Sequence, residues 1–453
     1  MDVDSRAEQQ SDVFFQVWLR NLLENSPEQL AAKLACMHYP GTPTTGKQLS
    51  KGAFNVCYLI TFEDESRIVV RFTAIGRVTA RAEKVEDEVA VMGYLAQHTA
   101  IPMPKVLGSG KCDLGPYIVM SYVDGKALGG YIRARSDTEY TLRPGLALST
   151  LRTAYFAMAE VLLELSKPEF PFIGAVRKNS AGVWTVSKRP LTYNMNRLTQ
   201  WSNIPHGVFE QQHFSNAADY FEELAQHHFY HLEYQRNDAV ANEADCRKKY
   251  IARCLFRKLS REISKEYCNG PFRLFCDDLR PENVLVDASK LAIAGVVDWE
   301  FTYAGPVEFT HAAPWWLLLE RPEVWESPLS EFLVRYMPKF RIFLEVLQDC
   351  EARKLRDGSL SESQRLSSAM EKSLETGLFW ICLASRHSCM FDEIFWEFID
   401  SKYFGPFTTI EDRLCLLNTE ERTNIDSFID RKMGEARDTS LVPHYSTDEL
   451  CNM

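Results

Sequence analysis

Between Phe275 and Glu300 two short apolar runs, VLV at 284–286 and IAGVV at 293–297, are bracketed by polar residues. Cys276-Asp277-Asp278-Leu279-Arg280-Pro281-Glu282-Asn283 precedes the first run, and Asp298-Trp299-Glu300 follows the second. Apolar runs this short, bounded by Asn and Asp, read as strands joined in a hairpin. A hairpin lays its two outer ends side by side. Asn283 therefore has to lie near Asp298, with Asp278 five residues upstream. Read alone, D-L-x-P-x-N is a turn closed by local Asx hydrogen bonds. Read together with the following strand and its terminal acid, it is a site made of two carboxylates and an amide.

Transfer of a phosphoryl group requires a carboxylate beside the attacking hydroxyl and oxygen ligands for magnesium on the nucleotide phosphates. Those residue types stand here at that spacing. The segment resembles the H-G-D-x-x-x-x-N and I-D-W/F-E signature of the aminoglycoside phosphotransferase and choline kinase-like family. Within that family, C-D-D-L-R-P-E-N and VVDWEFTYAGP resemble a fungal phosphotransferase branch. The resemblance implies an α+β, bilobal protein-kinase-like fold with a small strand-rich N-lobe and a large, mainly helical C-lobe. It implies ATP and Mg2+ as cofactors, Asp278 as catalytic residue, and Asn283 and Asp298 as metal ligands. Cys276 stands in the place of the family's His and is expected to pack behind the loop. Asp277 stands in the place of its Gly and stays open as a rival to Asp278, although the step to Asn283 and the following Leu279 favour Asp278.

Upstream, the pattern reads as helices over 12–37, a breaker-rich loop HYPGTPTTG, strands at 53–60 and 67–72, a helix at 81–98, and strands at 106–108 and 117–120. Lys51-Gly52-Ala53-Phe54-Asn55 resembles the family's phosphate-covering loop, with Gly52 its one glycine. Arg71 occupies the place of the kinase strand lysine. A guanidinium there is planar and bidentate, so its pose on phosphates differs from that of an ammonium. Glu88 is the matching helix acid that would pair with Arg71; Glu86 and Asp87 flank it, and helical phase decides among the three. Tyr117-Ile118-Val119-Met120-Ser121-Tyr122-Val123 resembles the hinge, so backbone groups from Ser121 to Val123 would meet the adenine edge.

Downstream the chain is mostly helical. A short hairpin is expected around Ala181-Gly182, and long helices over 215–235 and 243–266. His227, His228 and His231 share one helix and read as a solvated face rather than a metal site. Trp315, Trp316 and Trp380 read as core, and Glu300 either lines the acceptor side or braces its loop. Phe309 takes the place of an acid in the family's G-x-P-x-x-D loop. The expected organisation is a helical extension at 1–47, a nucleotide-binding lobe at 48–123, a catalytic and substrate-binding lobe at 124–430, and a disordered tail at 431–453. The resemblance spans about residues 48–404, and its specific part lies within 275–306.

A formal net charge of −11 argues against a nucleic-acid binder. The twelve cysteines include no C-x-x-C pair, which points to reduced, buried thiols. The N-terminus lacks an apolar targeting segment, and no run approaches the ~18 apolar residues of a membrane span. A cytoplasmic enzyme is expected, with no nucleic-acid or membrane partner, transferring the γ-phosphate of ATP to a hydroxyl of a small molecule. The alternatives are a catalytically degenerate kinase-like binding module, and an enzyme that phosphorylates an acceptor to activate it for a later step.

Overall fold

Side chains of NVCYLITF alternate across a sheet, with Val56, Tyr58 and Ile60 on one face and Cys57 and Leu59 on the other. Both faces are apolar, so each needs a cover. In the computed structural model, which describes residues 3–134, 140–289, 291–438, 440–444 and 449, each has one. Helices α1 (Ser5–Glu24) and α2 (Pro27–Cys36) lay Phe15, Trp18, Leu22 and Leu34 on the first face. Helix α3 (Arg81–His98) brings Val85 to the second. The strands are β1 (Pro43–Lys51), β2 (Asn55–Phe62), β3 (Arg67–Thr73), β4 (Val106–Cys112) and β5 (Gly115–Ser121), in the order β1-β2-β3-β5-β4, antiparallel throughout.

Strand β1 corrects the sequence reading, which ends its loop in this segment and has no strand there. It is an edge strand, exposed over nearly its whole length, so its side chains carry no alternation to read. The N-terminal helices also reach past the sheet. The Asp4 backbone N–H donates to the Trp201 carbonyl at 2.8 Å, and the Asp4 carboxylate accepts from the Asn237 backbone and amide at 3.0 Å.

The second lobe begins after Ser121 with β6 (Lys126–Ala127), α4 (Gly129–Ile132) and α5 (Leu148–Leu165). The expected hairpin forms from β7 (Val176–Lys178) and β8 (Trp184–Val186), followed by α6 (Tyr193–Trp201), α7 (Ala217–Tyr234) and α8 (Glu243–Ser260). Next come β9 (Arg273–Cys276), β10 (Val284–Val286), β11 (Ile293–Val296) and β12 (Thr302–Gly305), then α9 (Val307–His311) and α10 (Leu329–Arg356). A small antiparallel sheet with one internal helix, set on a mainly helical lobe, is the expected bilobal kinase-like fold.

Three readings need correction. His227, His228 and His231 are buried, not solvated. They are held by Glu223, Ser388, and Ser202 with Gln235, respectively. Among the described residues no cluster of three His, Cys, Asp or Glu side chains is arranged to hold a metal. Helical order runs through Thr419–Glu435, beyond the expected boundary at 430, because Lys432 is buried and donates to the Glu233 and Gln235 carbonyls at 3.2 and 2.7 Å. Residues 439, 445–448 and 450–453 of the expected tail lie outside the described residues. The described cysteines are free thiols, but Cys36 and Cys415 are exposed. Among the described residues no helix is long and apolar enough to cross a membrane.

Candidate active site

Two paired strands carry the site. β9 pairs with β12, matching Cys276 with Thr302, and β10 pairs with β11, matching Val284 with Val296. The 277–283 segment joins the two pairs on one side, and 297–301 joins them on the other. They are stitched together: the Asp277 N–H donates to the Phe301 carbonyl at 3.2 Å, and the Val297 N–H to the Asn283 carbonyl at 2.9 Å. Asp298 (φ 65°) and Phe301 (φ 58°) lie in the left-handed region, which costs an L-residue energy that the flanking ladders must offset. The expected hairpin does bring Asn283 beside Asp298.

Register in the N-lobe places Arg71 opposite Cys57 and Ile118, in the middle of the sheet. Its guanidinium is buried and bonds the Glu88 carboxylate, and its other nitrogen reaches Asp298 Oδ1 at 3.1 Å. Helical phase therefore selects Glu88. Asp87 points instead to Arg177 and Lys188 at 2.6 and 3.2 Å, and Glu86 to Arg177 at 3.0 Å. One turn before Glu88, Lys84 pairs with Glu300, and both side chains are fully buried. Asn55 completes this group, donating to Glu300 Oε2 at 3.0 Å and accepting from Lys84 Nζ at 3.2 Å. Glu300 thus braces its loop. Lys84 and Asn55 escaped the sequence reading, because a lysine in a helix reads as a solvated residue; its i, i+4 step to Glu88 is the one signal that could have found it.

Arg71, Ser121, Val123, Gly52, Asp278, Asn283 and Asp298 all line one cleft between the lobes, with a volume of about 470 Å³. Glu88 stands behind Arg71. The backbone at Gly52 does not itself demand glycine, since an added Cβ would meet only the Asn55 carbonyl, at 3.7 Å. The covering loop is held instead by Phe54, whose ring packs edge-on against Tyr193 at 5.9 Å and Phe301 at 5.8 Å.

The two adjacent acids part company. Asp277 faces away from the cleft: its carboxylate accepts from the Tyr193 backbone at 2.9 Å and the Tyr303 hydroxyl at 3.2 Å, docking the start of α6. Asp278 faces the cleft, where Arg321 donates to Oδ1 at 2.8 Å and Arg280 Nε approaches the same oxygen at 3.2 Å. Burial pushes the Asp278 carboxyl above its ordinary range, and Arg321 and Arg280 pull it partway back. Arg321, 43 residues from Asp278 in sequence, carries no local signal and was missed. Cys276 is buried, with Sγ 3.8 Å from the Glu300 carbonyl, and burial pushes its thiol up. Phe309 packs in the core against Phe275 and Phe221, with Arg386 over both the Phe275 and Phe309 rings. Trp315, Trp316 and Trp380 are buried outside the cleft.

The donor set fits a hard divalent cation. The Asn283 amide nitrogen donates to the Asp278 carbonyl at 2.9 Å, which leaves its oxygen as the remaining polar atom. Burial, then the nearby Glu300 carboxylate, pushes Asp298 well above the usual carboxylate range despite Arg71. A carboxylate so placed has room for more positive charge. A hard divalent cation placed here would be held by the oxygens of Asn283 and Asp298.

The phosphotransferase enzyme family's sequence model matches residues 45–336. No curated protein sequence matches the chain. Among solved structures it is similar to aminoglycoside 2'-phosphotransferase IIIa, a point mutant bound to GDP, with 14% identity over 90% of this chain and 98% of that one and a TM-score of 0.42. It is also similar to an amicoumacin kinase solved with AMP-PNP, Ca2+ and Ami, with 14% identity, 90% and 93% coverage and a TM-score of 0.41. For macrolide 2'-phosphotransferase from Brachybacterium faecium the values are 15% identity, 83% and 98% coverage, and a TM-score of 0.38. With a family match over well more than half its length, the chain belongs to the phosphotransferase enzyme family.

Proposed function

We propose that this chain moves the γ-phosphate of ATP to a hydroxyl of a small molecule, with magnesium. One observation carries the reading: Arg71 joins Glu88 to Asp298 in the same cleft that Asp278, Asn283 and the Ser121–Val123 segment line. Backbone groups of 121–123 meet the adenine edge. Arg71, oriented by Glu88, turns to the nucleotide phosphates. Asn283 and Asp298 hold magnesium, which when bound neutralises phosphate charge. Asp278 takes the proton of the acceptor hydroxyl; that oxygen then bonds to the γ-phosphorus as the bond to the bridging oxygen breaks and ADP leaves. Catalysis of this kind rests mainly on positioning and charge. Cys276, which motivates the binding-module alternative, packs behind the loop with its Sγ against the Glu300 carbonyl and the Asp278 backbone.

The test is phosphorylation of a small-molecule extract with ATP and magnesium. Asp278→Asn is expected to lower turnover by roughly two to four powers of ten, the usual contribution of a general base. Asp277→Asn, which alters a helix anchor, is expected to change turnover less than tenfold. The reverse ranking overturns the assignment.

A further inference from the structure

We propose that the acceptor carries an oxyanionic group, carboxylate or phosphate, which Arg321 holds while the acceptor hydroxyl reaches Asp278; the inference rests on the phosphotransferase reading above. Arg321 is presented by a built turn. Leu319 is left-handed (φ 67°), its N–H donating to the Trp316 carbonyl at 2.8 Å, and Glu320 is neutralised by Arg335 at 2.5 and 2.9 Å. The guanidinium stacks 5.2 Å from the Tyr193 ring centre, and its side chain remains 26% exposed in the cleft. Among the described residues its one hydrogen bond goes to Asp278 Oδ1. Arg280 approaches that same oxygen, so Oδ2 is the oxygen left to meet a hydroxyl.

An ammonium brought to Oδ2 would sit beside two guanidiniums, and each acid nearby already has a cationic partner, with one oxygen each of Glu282, Glu300 and Glu323 accepting no hydrogen bond among the described residues. Glu323 pairs with His387 at 3.1 Å and Arg197 at 3.7 Å, Glu282 with Arg280 at 3.4 Å, and Glu300 with Lys84. An oxyanion instead finds the forked donors of Arg321, a geometry that matches carboxylate or phosphate in two parallel hydrogen bonds. Proton transfer to Asp278 strengthens the preference. The hydroxyl proton cancels the carboxylate charge, while Arg321 keeps its own and needs another anion.

The experiment separates a small-molecule extract by ion exchange into anionic, neutral and cationic pools. Each pool is incubated with enzyme, magnesium and γ-labelled ATP, and labelled product is counted. Label is expected in the anionic pool, and phosphatase treatment beforehand distinguishes a phosphate-bearing acceptor, which is lost, from a carboxylate, which survives. With the acceptor so isolated, Arg321→Gln is expected to raise its KM roughly tenfold to a hundredfold while leaving the KM for ATP in place, the scale of a lost hydrogen bond to a charged group. Arg321→Lys should restore part of that loss. Label confined to the neutral or cationic pool, or an acceptor KM within about twofold of wild type in Arg321→Gln, overturns the inference and leaves the phosphotransferase reading standing. Label in no pool removes both.

Discussion

Replacing Lys84 by Met removes an ammonium that is fully buried against the equally buried Glu300 carboxylate. Glu300 would keep its hydrogen bond from Asn55 at 3.0 Å but lose its nearest cation. Removing one member of a buried ion pair costs about 3–5 kcal/mol, because the other charge is left desolvated. That is a large share of the ~5–15 kcal/mol by which domains are usually stable. Replacing both, Lys84→Met with Glu300→Gln, removes the charges together and should recover most of the loss. The pH profile carries the same information. Burial raises the Glu300 carboxyl, but Lys84 and Arg71, with hydrogen bonds from Lys84 and Asn55, outweigh it and leave the group below its ordinary 4.5. A depressed carboxyl contributes stability that is present above the unfolded value and lost as pH falls through the folded one. The Lys84→Met variant should lose that acid-side slope. Urea unfolding at several pH values supplies the free energies, and calorimetric titration with magnesium and ATP supplies the functional readout, since Lys84 ties α3 to the loop that presents Asp298. A single variant within about 1 kcal/mol of wild type, or a double variant costing the sum of the singles, would refute the reasoning.

Asp298→Ala should weaken binding of ATP with magnesium far more than binding of ATP in chelator, read by the same titration; equal losses would count against a metal-ligand role. Cys276→Ala should keep most of the turnover and lose about 1 kcal/mol of stability from the small cavity, measured by urea unfolding. Iodoacetamide should spare Cys276 in the folded protein and label the exposed Cys36 and Cys415 first, as peptide mapping would show. Burial tends to raise the Glu83 carboxyl, but Arg189 and Lys188 outweigh it and hold the group down to about 2. Glu83→Gln should therefore cost about 1–3 kcal/mol near pH 7 and flatten the stability profile between pH 4.5 and about 2.

The sequence by itself determined the features whose cause is local. The short apolar, β-branched runs in NVCYLITF and RIVVRF, separated by the turn residues Glu63-Asp64-Glu65-Ser66, specified β2 and β3, and the helical stripe from Val85 to Leu95 specified α3. The hairpin closing on Asn283 and Asp298 was specified by two short apolar runs, because antiparallel pairing of sequence neighbours leaves little choice of register. What depended on distant partners was decided by the tertiary structure. Asp277 and Asp278 are adjacent and alike in type; spacing favoured Asp278, and the fold beyond the β9–β12 pair turns Asp277 toward Tyr193 and Asp278 toward the cleft. Exposed β1 lacked any alternation and exists because β2 offers it an unpaired edge. The three histidines of α7 read as polar until the surrounding helices closed over them. Lys84 and Arg321 owe their positions to carboxylates 216 and 43 residues away in the chain. Charge acts through space, and only folding makes those residues neighbours.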